Sequence, residues 1–386
     1  VQRFYFDHNA TTPIAPEVFE AMRPCLGEVY GNPSSIHHFG QMAKQRLEMA
    51  RRQTASLLHC SPKEIVFVSG GTEADNLALL GAVRPCAGKH VITTAIEHPA
   101  VLGACAQIER EGGEVTYVRA GSDGTIDPED FRRALRLNTA LVSVMHANNE
   151  LGTVQPVGEI ARVAREAGAV MHSDGVQAAG RLAVDVGALS VDLYSLSGHK
   201  IYAPKGVGAL FVRKGTALGA IQHGGHHERD RRAGTENVAG AVALGAAAEC
   251  AARDGEAEAR RLSQLRDRLE TGILERVPYA GVNGSRTERV PNTTNLYFDY
   301  IEGESLVIAL DLRGFAVSSG SACSSGSSEP SHVLLAMGLA PERARASIRF
   351  SLGRSNNQAQ VDSLVDAVAG AVTHLRKISP LTPAHA

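Results

Sequence analysis

The sequence lacks the marks of several protein classes. No uninterrupted apolar run reaches the roughly 18 residues of a membrane span. The opening VQRFYFDHNATTP has none of the basic-then-apolar character of a secretory leader. Together these absences make the cytoplasm the expected compartment. Neither sign of charge dominates, since 39 Lys and Arg face 41 Asp and Glu for a formal net charge of −2. That balance offers no electrostatic footprint for nucleic acid or an anionic membrane. The six cysteines include no CxxC pair, which argues against a disulfide framework and a zinc knuckle. Most are expected to be small buried hydrophobes. No internal repeat occurs, and the one low-complexity tract is a serine-rich loop near Cys323. The expected partners are therefore small molecules and other proteins.

At 386 residues the chain can build a large core and two packed domains. From about residue 60 to 212 a unit recurs: a short apolar strand, a polar or glycine-rich turn, then an amphipathic helix. Strands are predicted at 65–68, 91–94, 115–118, 141–145, 170–172 and 193–196. Helices are predicted at 41–58, 72–82, 99–110, 128–135 and 157–167. Such alternation predicts an α/β fold with a mostly parallel sheet covered on both faces. Further on, two helices are predicted at 238–253 and 257–277. Strands at 294–298 and 316–318 and helices at 304–312 and 358–377 then make a smaller α+β domain.

Ligands of such sheets collect beyond the carboxyl ends of the strands, so the residues there are informative. Gly70, Gly71 and Thr72 open a helix with free backbone N–H groups, a natural phosphate seat. Glu97-His98-Pro99 follows the next strand, and Asn148 and Asn149 follow a third. Asp174 and Gln177 follow a fourth, and SGHK ends the last with Ser197, His199 and Lys200. Each alone has a structural explanation as a cap, a turn former or a snorkelling lysine. Lys200, however, stands between two apolar runs, where desolvation favours the neutral amine that attacks carbonyls. A phosphate seat, a flat ring, a carboxylate and an amine on one rim match what an aldehyde cofactor such as pyridoxal phosphate requires.

Two loops follow. The polar stretch 221–237 contains His223, His226 and His227, but no acidic or cysteine ligand is fixed nearby and no metal site is expected. The serine- and glycine-rich stretch 318–330 should carry Cys323 on a mobile, exposed segment, where a thiol could reach a substrate and carry an atom away. Beyond it, Arg349 and Arg354 are candidate carboxylate forks.

With Thr72, His98, Asn149, Asp174, Gln177, SGHK, RAGTEN, SSGSAC and SIRFSLGR in their order and spacing, the sequence resembles the cysteine desulfurases of the class V aminotransferases over about residues 4–380. The long serine-rich loop is similar to the nitrogen-fixation and iron–sulfur cluster group. The resemblance implies a fold-type I pyridoxal phosphate enzyme that is a homodimer. Residues 15–255 would form the large seven-stranded cofactor domain. Residues 1–14 and 256–386 would form the small domain carrying the cysteine loop.

It also implies that Lys200 binds the cofactor aldehyde, His98 stacks on the ring and shuttles protons, Asp174 meets the pyridine nitrogen, and Gln177 bonds the phenolic oxygen. Gly71, Thr72, Ser197 and His199 would seat the phosphate, with Thr235 reaching in from the neighbouring subunit. Asn149 and Arg349 would hold the carboxylate of L-cysteine, and Cys323 would take its sulfur for a scaffold or other acceptor protein. Departures from the family pattern are Gly175, where alanine is usual, His226, where a turn glycine is common, and a short tail after the terminal helix. Selenocysteine lyase shares fold and cofactor and is the nearest rival reading.

Overall fold

The computed structural model describes residues 2–319 and 329–380. In chain order the elements are β1 (Phe4–Tyr5), α1 (Pro16–Met22), α2 (His38–Leu57), β2 (Ile65–Val68), α3 (Gly71–Val83), β3 (His90–Thr94), α4 (Pro99–Arg110), β4 (Glu114–Val118), α5 (Pro128–Ala134), β5 (Thr139–Ser143), α6 (Val157–Glu166), β6 (Val170–Asp174), β7 (Leu193–Ser197) and β8 (Gly208–Val212). After these come α7 (Val238–Arg276), β9 (Ala280–Asn283), β10 (Thr293–Phe298), α8 (Gly303–Asp311), β11 (Phe315–Ala316), β12 (Ser318–Ser319), α9 (His332–Ala336), α10 (Pro341–Arg345), β13 (Ser347–Ser351) and α11 (Gln358–Ile378).

The main sheet has seven strands in the order β2-β8-β7-β6-β5-β3-β4. The five from β7 to β4 run parallel, and β8 lies antiparallel between β7 and β2. Strands β3, β7 and β8 are buried along their whole length, as expected of a sheet with helices on both faces. One face packs against α3 and α4 through Leu77, Leu79, Val101 and Ile108. The other face joins α2, α6 and the first half of α7 through Leu47, Ile160 and Leu244.

A third cluster gathers β10, β13, α8, α11 and the second half of α7 around Phe298, Phe350, Leu269 and Leu364. The four-stranded sheet β12-β13-β10-β9 forms its floor. The chain's start joins this region, because Phe4 pairs with Phe315 and Asp7 bridges to Ser351.

One expectation needs correction. The helices predicted at 238–253 and 257–277 are one continuous helix of 39 residues. Gly255 costs about 1 kcal/mol relative to alanine, too little to break a helix whose two halves are each anchored in a separate core cluster. The arginine motif around Arg349 is itself a fully buried strand, β13. Among the described residues no helix is long and apolar enough to cross a membrane. Of the five described cysteines, Cys105 and Cys250 are buried, while Cys25, Cys60 and Cys86 are half-buried.

Candidate active site

A cavity of about 370 Å³ opens at the carboxyl ends of the parallel strands. Gly71, Thr72, His98, Asn149, Asp174, Gln177, Ser197, His199, Lys200 and Arg349 all line it. These expected site residues therefore meet although they are scattered along the sequence from Gly71 to Arg349. Cys323 lies outside the described residues. Thr235 is exposed and stands away from this chain's own cavity. Arg354 also stands apart, with its guanidinium 4.6 Å from the Tyr202 ring centroid in a cation–π contact.

The candidate anion seat is the first turn of α3. Its N-cap, Gly70, has no side chain to occupy the free N–H groups, so they remain available to a phosphate. A Cβ at Gly71 would stand 2.8 Å from Val176 Cγ2 and 3.5 Å from Ser197 Cβ, which explains the absence of a side chain there. His199 is fixed by Thr11, whose Oγ1 is 3.1 Å from Nδ1. Burial, with Lys200, Lys205 and Arg181 adding to it, lowers His199 to about 4, so the imidazole is neutral.

Lys200 follows β7, and its Nζ donates to the carbonyls of Asn9 at 2.5 Å and Ala10 at 2.8 Å. Asp174 ends β6, and its Oδ1 accepts the Val176 N–H at 2.9 Å. Burial pushes its carboxyl up, while His98 and Lys200 pull it down. Gln177 Nε2 donates to Asn9 O at 3.1 Å. An amide nitrogen has two protons, so one is left for a ligand. His98 caps α4, its Nδ1 accepting the Ala100 N–H at 3.1 Å, so a neutral ring carries its proton on Nε2. Burial lowers its pKa; Asp174 opposes this, and Lys200 and His332 reinforce it.

On the opposite wall, Arg349 is buried, with Nη2 on Asp7 Oδ1 at 2.7 Å and Nη1 on the Asn149 carbonyl at 3.0 Å. Its Nε has no partner among the described residues. An unpaired buried guanidinium N–H beside the Asn149 amide is suited to a carboxylate. Asn148 is structural instead, its Oδ1 accepting from Glu150 N and Leu151 N.

Sequence reasoning missed Asn9 and Asp75. Asn9 lines the cavity and its carbonyl receives both Lys200 and Gln177, while its Nδ2 donates to Asn149 O at 3.1 Å and to Thr293 Oγ1 at 2.9 Å. The only hint was a polar HNATT run directly after a short strand. Asp75 was hidden inside SGGTEADN, where the glycines drew attention.

The aminotransferase class-V family model matches residues 4–364. The chain belongs to the cysteine desulfurases of that family. A protein named cysteine desulfurase IscS from Dictyoglomus turgidum is 46% identical over 97% of this chain and 96% of its own length. Among solved structures, a NifS-like protein superposes with a TM-score of 0.91 at 35% identity, covering 97% of this chain and all of that one. A structure titled SspA in complex with cysteine has a TM-score of 0.81 at 37% identity, with 90% of this chain and 98% of that one covered. The α/β architecture expected from strand–helix alternation is thus that of this desulfurase family.

Proposed function

We propose that this enzyme removes sulfur from L-cysteine, giving L-alanine and a persulfide on Cys323 that supplies iron–sulfur cluster assembly or another sulfur acceptor. The observation that carries the reading is one cavity that combines an amine, a buried carboxylate, a helix-capping imidazole, a helix N-terminus and an unsatisfied guanidinium, in a chain similar to known cysteine desulfurases. The donor set fits pyridoxal phosphate. When bound, that cofactor supplies an aldehyde for the tether and a ring that accepts the electrons left by a departing proton.

The α3 N-terminus with Gly71 and Thr72, together with Ser197 and His199, would hold the phosphate, and Asp174 would face the ring nitrogen. Gln177 would use its remaining amide proton on the phenolic oxygen, and His98 would cover the ring. Lys200 would tether the aldehyde and, once exchanged for the substrate amine, move the proton at the substrate α-carbon. Asn149 and Arg349 would grip the substrate carboxylate. The Cys323 thiolate would attack the substrate sulfur, so that an S–S bond forms, the C–S bond breaks, and the carbon is reprotonated to alanine. Thr235 is exposed on its own chain, which suits a role at the phosphate of a second copy in a homodimer.

The test is to incubate the purified, cofactor-loaded protein with L-cysteine, assay alanine, and map any persulfide by mass spectrometry. Cys323→Ala should abolish alanine release while the yellow cofactor stays bound. Full turnover in that variant would remove Cys323 from the reaction. Comparing L-selenocysteine side by side separates the lyase alternative.

A further inference from the structure

Two buried acids line the cavity, and the reading above uses only Asp174. Asp75, on α3, is 1% exposed and lines the cavity. Its Oδ1 has no hydrogen-bond partner among the described residues and lies 3.6 Å from His172 Nε2. His172 precedes Asp174 by two residues on β6, so both side chains leave the sheet on the same face. The His172 ring is gripped on both sides, with Nε2 3.0 Å from Ser195 Oγ and Nδ1 2.8 Å from Ser143 Oγ.

The charges around Asp75 decide its state. Burial holds His172 down at about 3, so it is neutral and gives Asp75 no cation. Asp174 and Glu97, the other acids near it, carry the wrong sign, and the Ser195 hydroxyl offers only a hydrogen bond. The Lys200 charge acts on Asp174. A second unpaired carboxylate in this enclosure would have no compensation. Burial and the Asp174 charge accordingly push the Asp75 carboxyl well above the ordinary range.

We propose that Asp75 is a neutral positioning acid, which keeps its proton, closes the Ser143–His172–Ser195 network against α3, and leaves Asp174 as the single anion facing the cofactor ring. Only the last clause rests on the pyridoxal phosphate reading. The acid and its network belong to the protein alone.

The experiment compares parent, Asp75→Asn and Asp75→Ala. In the cofactor-free protein at neutral pH, the infrared difference between parent and Asp75→Asn should show loss of a protonated-carboxyl band. Loss of an ionised carboxylate band overturns the proposal whatever the fate of the cofactor. In the loaded enzyme, Asp75→Asn, neutral and of the same shape, should keep pyridoxal phosphate affinity and the pH profile of its visible absorption within about threefold of parent. Asp75→Ala should lose about tenfold in affinity, the equivalent of one unsatisfied buried polar group. An asparagine variant as impaired as the alanine one, or an alanine variant indistinguishable from parent, refutes the role. A parent that binds no pyridoxal phosphate would instead sink the cofactor reading and leave the infrared result to judge Asp75.

Discussion

Replacing Gly175 by alanine restores the residue usual in the family, yet it should damage this protein. A Cβ added there would stand 2.0 Å from both Cε1 and Cζ of Tyr194 and 2.4 Å from its hydroxyl. Tyr194 is fully buried, and its hydroxyl sits 2.8 Å from His146 Nδ1. The ring must retreat by roughly 1.5–2 Å to reach ordinary contact, and in doing so it abandons that hydrogen bond in a site where burial holds His146 at about 4. Overpacking and the lost buried hydrogen bond together cost about 2–5 kcal/mol. Tyr194→Leu alone removes a buried ring and should cost about 2–4 kcal/mol. In the double variant the new methyl enters space the ring has vacated, so the damage should fall at least about 1.5 kcal/mol short of the sum. Urea unfolding of parent, both single variants and the double completes the cycle. Additivity within about 0.5 kcal/mol would refute the claim that the glycine exists to admit this tyrosine.

Two further outcomes are expected. Arg349→Lys cannot bridge Asp7 and the Asn149 carbonyl as the guanidinium does. It should raise KM for L-cysteine by about tenfold or more, with cofactor retention unchanged. Steady-state kinetics beside a cofactor assay would refute this if cofactor retention fell as KM rose. Glu97 is fully buried, and burial raises its carboxyl from 4.5 to about 8. Between those values the unfolded chain has released a proton that the folded protein retains, so this group makes stability fall as pH rises through that window. Glu97→Gln preserves an acceptor for Thr94 Oγ1 and Met145 N without the ionisation. Urea midpoints measured across that window should decline less steeply in the variant than in the parent. An unchanged slope would refute the assignment.

The main sheet was legible because its strands are short and four of them, β2 to β5, are each followed by a turn and a helix, a pattern that needs no tertiary information. The boundaries predicted for α4 agree with the structure at both ends. Where the pattern failed, burial decided instead. The Arg253-Asp254-Gly255 run reads as a helix stop, yet α7 continues, since Leu244 and Leu269 secure its two halves in different cores. The SIRFS stretch carries no predicted strand, yet it forms β13, fully buried, with Arg349 paired to Asp7 from near the other end of the chain.

The same division explains which site residues could be found. Lys200, His98, Asp174 and the α3 glycines stand at strand ends or within a few residues of them, so local sequence already marks the rim on which they meet. Asn9 cannot be read that way, because its carbonyl matters only once β1 has brought residue 9 beside Lys200, 191 positions later. Asp75 is a subtler case. On α3 it reads as an ordinary helical acid, and only the packing of α3 over β6 and β7 makes its negative charge untenable. A residue that supplies chemistry tends to announce itself by its place on the chain. A residue that restrains another's charge is defined by the company the fold gives it, and for Asp75 that company is a neutral imidazole, the Ser195 hydroxyl and two competing acids.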